Sequence, residues 1–380
     1  MKLSRSMKIA AIAITTSVAA ATSSFAGVSI TGAGSTFAGP LIDSCKAAWQ
    51  TATGNTVTYS GGGSGTGRKN ADAGIGDFNF SDATYTPAKA TIVHIPVVSA
   101  PIAIAYHLNS TRQVYLSPKT LSDIFAGNVT MWNDPEITAD NNTSSPVVTF
   151  KKDASGNVVK DSKGAPIVLK TVMVKRYYTL PNKPITVVYR ADSSGTTQNL
   201  VNMFIKKFPT VWTKPSAGSF ASVFPGQINS ATNLGRFQSA TGSSNVAALV
   251  KKTPYSIGYM EASYASAQGL GLAAIENAAG SYQLPDAGGT AAFLNSATAS
   301  ADGKLTFNYE TTDKGAYILG IVSYALVDTA AKGDSAAAAK SFLTALLDPK
   351  CPSTNPALQY STVTGSLLAI DQALIAKLAA

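Results

Sequence analysis

Cysteine and histidine are almost missing from this chain: of 380 residues, two are cysteine and two are histidine. Zinc sites of the Cys/His type need three or four such ligands at close spacing, so they are excluded, and most metalloenzyme readings go with them. Charged residues are scarce too, 13% against 45% hydrophobic, a balance that argues against disorder and leaves ample material for a core. The longest apolar run lies at the extreme N-terminus and is too short to span a bilayer. No Gly-x-Ser-x-Gly elbow occurs, and His94 and His107 stand in apolar strand contexts, so a serine-hydrolase triad has no support. The stretch from Gly62 to Lys69 has the glycine spacing of a phosphate-binding P-loop. Arg68, however, occupies its lysine position, and Lys69 stands where the metal-binding hydroxyl is required.

The first 26 residues read as an address. Lys2, Arg5 and Lys8 form a positive segment, Ile9 to Ala21 is largely apolar, and Ser24-Phe25-Ala26 places small residues before a cut. The expected mature chain starts at Gly27, with no cysteine at the cut to carry a lipid, and is periplasmic or secreted. Losing three cations lowers the formal charge from +9 to +6, which still favours anionic partners. Lys151, Lys152, Lys160, Lys163, Lys170, Lys175 and Arg176 gather in one stretch, Thr149 to Lys183. Its alternation, broken at Asp153-Ala154-Ser155-Gly156-Asn157 and Asp161-Ser162-Lys163-Gly164, predicts a twisted hairpin with solvated lysines rather than a nucleic-acid arm.

A length above the ~100–200 residues of one domain favours two. Val28-Ser29-Ile30-Thr31 reads as a strand, Gly32 to Pro40 as a loop, and Leu41, Ile42, Cys45, Ala48 and Trp49 fall at helical spacing. The unit repeats: strand Thr56 to Tyr59, loop Ser60 to Gly67, and a helix beginning near Arg68. It repeats again in strand Ile185 to Tyr189, loop Arg190 to Gly195 and a helix from Thr196. Two apolar runs, His94 to Leu108 and Tyr317 to Val327, read as buried strands that cross between lobes. That pattern predicts an α/β fold with mixed sheets flanked by helices. Residues 27–99 with 320–380 form one lobe, and residues 100–319, with the 149–183 hairpin inserted, form the other; a two-strand hinge joins them.

Each of the three loops puts glycine and hydroxyl residues at a helix start: Gly34-Ser35-Thr36-Phe37, Gly63-Ser64-Gly65-Thr66-Gly67 and Ser193-Ser194-Gly195-Thr196. First-turn N–H groups lack internal partners and carry partial positive charge, so such ends bind anions. Singly, each motif is more often just an N-cap or a turn; three in equivalent places shift the balance toward an anion site. Arg190 precedes the third loop, where its planar guanidinium suits an oxyanion, and Asp192 beside it would hold it in place. Asp82, in Asp77-Phe78-Asn79-Phe80-Ser81-Asp82-Ala83, fits a simple anion site poorly; by spacing alone it is an N-cap or turn residue.

These four motifs, with Tyr59-Ser60-Gly61-Gly62 leading the second, resemble the periplasmic phosphate-binding proteins of bacterial phosphate ABC importers, in order and spacing. Lys119-Thr120-Leu121-Ser122-Asp123-Ile124-Phe125-Ala126-Gly127 with Trp132, and Ser256-Ile257-Gly258-Tyr259-Met260-Glu261, extend the likeness over most of the mature chain. The resemblance implies a two-lobed periplasmic binding protein of type II that closes on one inorganic phosphate and presents it to an ABC permease. It implies neither an enzyme nor a cofactor, and the expectation is a monomer that binds no nucleic acid. It also implies ligand roles for Thr36, Phe37, Ser64, Arg190, Ser194, Gly195 and Thr196, with Asp192 orienting Arg190. Asp82 would accept the proton that phosphate keeps and sulfate lacks.

Three departures from that pattern stand out: Ser193 in place of glycine, Gly65-Thr66 in place of a Ser-Gly pair, and the long basic stretch. Other classes kept in view are a secreted phosphatase and an extracellular protein whose phosphate site is secondary to adhesion or secretion. The lone pair of cysteines, Cys45 and Cys351, falls in one lobe under the hinge reading, which favours a disulfide over two buried thiols.

Overall fold

The computed structural model describes residues 27–142, 144–154, 156–162, 164–175, 177–353, 356–363 and 365–378. The expected leader lies outside the described residues, as do Ser155, Lys163 and Arg176 of the basic stretch.

The chain opens with strand β1 (Ser29–Gly34), helix α1 (Gly39–Thr53), strand β2 (Thr56–Gly61), helix α2 (Ser64–Ala73) and strand β3 (Phe78–Ser81). The strands are parallel, β1 between β2 and β3, as strand–loop–helix crossovers dictate. α1 buries Leu41, Ile42, Cys45 and Trp49 as its spacing predicts, while Ala48, counted with them, is exposed. α2 begins at Ser64, four residues before the helix start read near Arg68. Gly and Ser have poor helix propensity, but the first turn tolerates them because Ser64 and its neighbours are fixed by contacts outside the helix.

β4 (Ile92–Tyr106) is buried along nearly all of its fifteen residues. Residues 92–101 pair with β10 (Gly320–Asp328), and residues 102–106 pair with a strand of the second half, β9 (Ser256–Glu261). The handover falls at Pro101 and Ile102, where proline removes a ladder donor and lets the two ladders part. The second half contributes β5 (Ser144–Phe150), β6 (Val168–Lys175), β7 (Thr186–Arg190), helix α3 (Gly195–Lys207), β8 (Phe237–Ala240) and helix α4 (Ser243–Lys252). The main sheet runs β2-β1-β3-β10-β4-β9-β7-β8. β4 therefore belongs to two lobes, one built on β1–β3 and β10, the other on β7–β9. One segment crosses this division: Gly303 lies against His94, and the Leu305 N–H donates to the Tyr324 hydroxyl, so the short hairpin 298–306 packs on the first lobe.

The basic stretch forms an antiparallel ribbon, β5 with β6, closed by turns at Asp153 and Asp161. Helix α5 (Asp334–Leu346) packs on α1, where Trp49 donates to Ser341 and its ring meets Phe342. Cys45 of α1 is joined to Cys351 by a disulfide, with Cα atoms 5.4 Å apart.

Candidate functional site

β1, β2, β3 and β7 all end at the cleft between the lobes, which brings their loops together. Asp82 follows β3 and is 3% exposed. It is not an N-cap: its carboxylate accepts from three hydroxyls, Ser35 at 2.5 Å, Ser64 at 3.1 Å and Ser323 at 2.7 Å. Ser64 in turn accepts from the Asp82 N–H at 3.0 Å. Burial pushes the Asp82 carboxyl up, against the pull of Ser35, Ser323, Arg190 and Ser64. A carboxylate offers about four lone-pair directions, so three serines leave one.

Ser35 organises the first loop. Its hydroxyl accepts from the N–H groups of Phe37 at 3.0 Å and Ala38 at 3.1 Å while donating to Asp82. Phe37 is fully buried, whereas the Thr36 hydroxyl sits at the cleft, 3.3 Å from that of Ser243.

Arg190, at the end of β7, is 2% exposed, a guanidinium withdrawn almost wholly from water. Its Nε donates to Asp192 at 2.7 Å, its Nη2 donates to the same carboxylate, and its Nη1 donates to Ser243 at 3.0 Å. Burial works against the charged form, but the hydrogen bonds and charge of Asp192 outweigh it and hold Arg190 above its ordinary value. The same pair holds Asp192 low in spite of its burial. The Ser243 hydroxyl in turn donates to Glu261 at 3.1 Å. Glu261 is 1% exposed, and its second oxygen has no partner among the described residues. Burial raises it to about 7, against the opposing charge of Arg190.

The third loop caps α3: Ser194 accepts from the Thr197 N–H at 3.2 Å, and the Thr197 hydroxyl lies 2.6 Å from that of Tyr259. Thr196 is fully buried and its hydroxyl lacks a partner among the described residues. Gly195 touches the opposite lobe, for a Cβ there would fall 2.6 Å from the Ser64 hydroxyl and 2.8 Å from the Asp82 Cβ. Only glycine lets the helix N-terminus come so near a carboxylate.

Seven of the eight residues expected to touch a ligand are brought together with Asp192 by these bonds and contacts, and Thr196 stands next to Gly195 with its hydroxyl unpartnered among the described residues. Five participants were missed by reading the sequence: Ser35, Ser243, Glu261, Ser323 and Asn199, which donates to the Asp82 carbonyl at 2.6 Å. Ser243 had a readable signal, since Thr241-Gly242-Ser243-Ser244 before α4 is a fourth strand–glycine–hydroxyl–helix unit. A hollow of about 310 Å³ reaches Asp82 from the side of Asn199, Asn202 and Tyr309, but is not lined by Thr36, Arg190 or Thr196. The network sets a buried cation, Arg190, among hydroxyls, and beside it Thr196 keeps a hydroxyl with no partner among the described residues.

A family model described as a PBP superfamily domain matches residues 19–350. The chain is 32% identical to the phosphate-binding protein PstS of Pasteurella multocida over 272 residues, 68% of this chain and 63% of that one. It is 30% identical to the PstS of Haemophilus influenzae over 265 residues, 68% of this chain and 65% of that one. The match thus spans less than two thirds of either relative. Among solved structures, a high-affinity periplasmic phosphate-binding protein (PfluDING) bound with phosphate aligns with TM-score 0.64 and 18% identity, over 91% of this chain and 93% of that one. A phosphate-binding protein from Stenotrophomonas maltophilia aligns with TM-score 0.57 and 17% identity, over 92% and 94%. At such identities the structures speak for the fold alone.

Proposed function

The chain belongs to the PBP superfamily, and from that premise we propose that it binds inorganic phosphate between its lobes, outside the cytoplasm, and delivers it to an ABC permease without chemical turnover. The observation that carries this reading is the buried Arg190, held by Asp192 and set among hydroxyls, across the cleft from a buried acceptor, Asp82. A guanidinium and helix N-terminal N–H groups answer the negative oxygens of a tetrahedral anion. An acceptor-only carboxylate answers a ligand that keeps a proton, and it penalises one that has none. Phosphate near neutrality keeps one; sulfate does not. Thr36, Ser194, Gly195 and Thr196 supply the remaining donors, and Phe37 and Ser64 join them on exchanging their bonds to Ser35 and Asp82 for the ligand. The relatives named above carry the same binding role in their names, which favours transport over a phosphatase.

Calorimetry with phosphate and sulfate tests it. Wild-type protein is expected to prefer phosphate strongly. Asp82→Asn, whose amide can turn a donor toward an ionised oxygen, is expected to narrow the ratio by about 10- to 100-fold, the worth of one hydrogen bond to a charged group. Equal binding of both anions by wild type, or an unchanged ratio in the variant, would remove the role given to Asp82. Absence of phosphate binding would remove the function.

A further inference from the structure

The site accounts for the cleft but not for the ribbon that stands off the second lobe. Residues 144–177 contain seven lysines and arginines against two aspartates, an excess of five that makes up most of the charge of the chain without its expected leader. The two aspartates are turned into the ribbon's own turns: Asp153 accepts from the Asn157 N–H and Asp161 from the Ala165 N–H, both at 2.9 Å. The same stretch holds six of the nine large hydrophobic residues exposed among the described residues. Leu169, 67% exposed, stands at the register shift of β6, Met173, 62% exposed, stands farther along the same strand, and Val147 and Val172 form an exposed cross-strand pair. Two strands with no third are marginal in water, and most of the described residues of both strands are exposed. The ribbon's turn end is held on the body, with Phe150 beside Gly315, Val158 beside Gly288 and Lys152 paired to Asp286 at 3.2 Å, which leaves the exposed residues of its strands facing outward.

We propose that this ribbon is a membrane-docking element that sinks its aliphatic side chains among the headgroups of an anionic lipid bilayer while its lysines meet the lipid phosphates. Charge decides against a second copy of the ribbon, which would bring five excess cations against five. The kind of apolar residue decides against nucleic acid, whose bases are held on aromatic rings and arginine planes; here the exposed residues are chiefly leucine, methionine and valine interleaved with lysine. Aliphatic and lysine side chains together match the boundary between acyl chains and anionic headgroups.

Co-sedimentation of the whole protein with vesicles is the test, using equal parts phosphatidylglycerol and phosphatidylcholine against phosphatidylcholine alone, with thermal melts to establish folding. Wild type is expected to bind the anionic vesicles and not the neutral ones. Lys160→Glu with Lys170→Glu and Lys175→Glu should weaken binding by about 100-fold or more, at about fivefold for each lysine lost. Leu169→Ser with Met173→Ser keeps every charge and should still cost about tenfold. The proposal is overturned if anionic vesicles are not bound, if neutral vesicles are bound as well, or if the lysine variant binds undiminished. It is overturned equally if the serine variant binds like wild type or if DNA competes the vesicles off at low concentration, since the ribbon would then be a general polyanion surface.

Discussion

Three carboxyls, Asp82 and Glu261 buried and Asp192 half-buried, surround the single guanidinium of Arg190, and full ionisation of all three would leave the cradle negative where the proposed anion would enter. Burial answers this at Glu261 by raising it from 4.5 to about 7, so near neutrality the folded protein keeps a proton there that the unfolded chain has released. The unfolded state binds fewer protons between those two values, so this group's contribution to stability falls as pH rises from about 4.5 through about 7. His94, lowered by burial to about 4, contributes with the opposite sign over much of the same range, and Asp371, raised by burial to about 8, with the same sign, so the wild-type curve alone mixes all three. A comparison separates them. Glu261→Gln should gain stability relative to wild type as pH is raised from 5 to 7.5, by on the order of 3 kcal/mol, in urea unfolding without phosphate. Parallel profiles would show that Glu261 does not hold its proton. The residues legible in the sequence were those with a local signature, such as Arg190 before Ser193-Ser194-Gly195-Thr196. Ser323 was hidden because it sits in an apolar run and acquires its role only from Asp82, 241 positions away. Glu261 was hidden for the same reason, its partners being Ser243 and Arg190.

At the scale of elements, the three strand–loop–helix units were legible because apolar spacing, glycine and hydroxyl residues fall in a fixed order, and each forms with its helix start within a few residues of the reading. The fourth, β8 to α4, escaped because Phe237-Gln238-Ser239-Ala240 is short and carries little strand propensity; it pairs as a parallel edge on β7 regardless. Tertiary pairing there outweighs local preference. The C-terminal segment after α5 depends on a different device. The disulfide from Cys45 to Cys351 fastens it to α1 across 306 positions, while Trp49 on the same helix packs against Phe342. Cross-links over long separations restrict the unfolded chain most, with a typical worth of about 2–4 kcal/mol. Urea unfolding with and without reductant, beside Cys45→Ser with Cys351→Ser, should show that loss in wild type and no effect of reductant on the variant. Coincident midpoints for reduced and oxidised wild type would deny the bond any part in stability.

The whole molecule is held in a closed arrangement by bonds that run from lobe to lobe. The Gly65 N–H donates to the Ser193 carbonyl at 2.9 Å, Arg68 donates to Gln198 at 3.1 Å, and Tyr264 donates to the Thr36 carbonyl at 3.3 Å. Each is broken if the lobes part about the Pro101–Ile102 handover, and all are exposed enough to be remade cheaply, which is what a hinged cleft requires. Two of the departures from the phosphate-binder pattern meet here. A Cβ at Gly65 would fall 2.4 Å from the Cβ of Ser193, so this chain carries a side chain on one wall of the contact and none on the other. Closure rather than ligand contact is therefore what Gly65 serves. Gly65→Ala, in an ordinary helical backbone, should obstruct the approach of Ser193 and weaken phosphate binding by about tenfold or more, since closing strain of even ~1.4 kcal/mol is a factor of ten. Small-angle scattering should show wild type shrinking on addition of phosphate and Gly65→Ala responding less at the same occupancy. The pair Gly65→Ala with Ser193→Gly moves the side chain from one wall to the other and should restore both affinity and the scattering change. If the second substitution rescues neither, the loss in Gly65→Ala comes from within α2, and the contact between the lobes at this point does not govern closure.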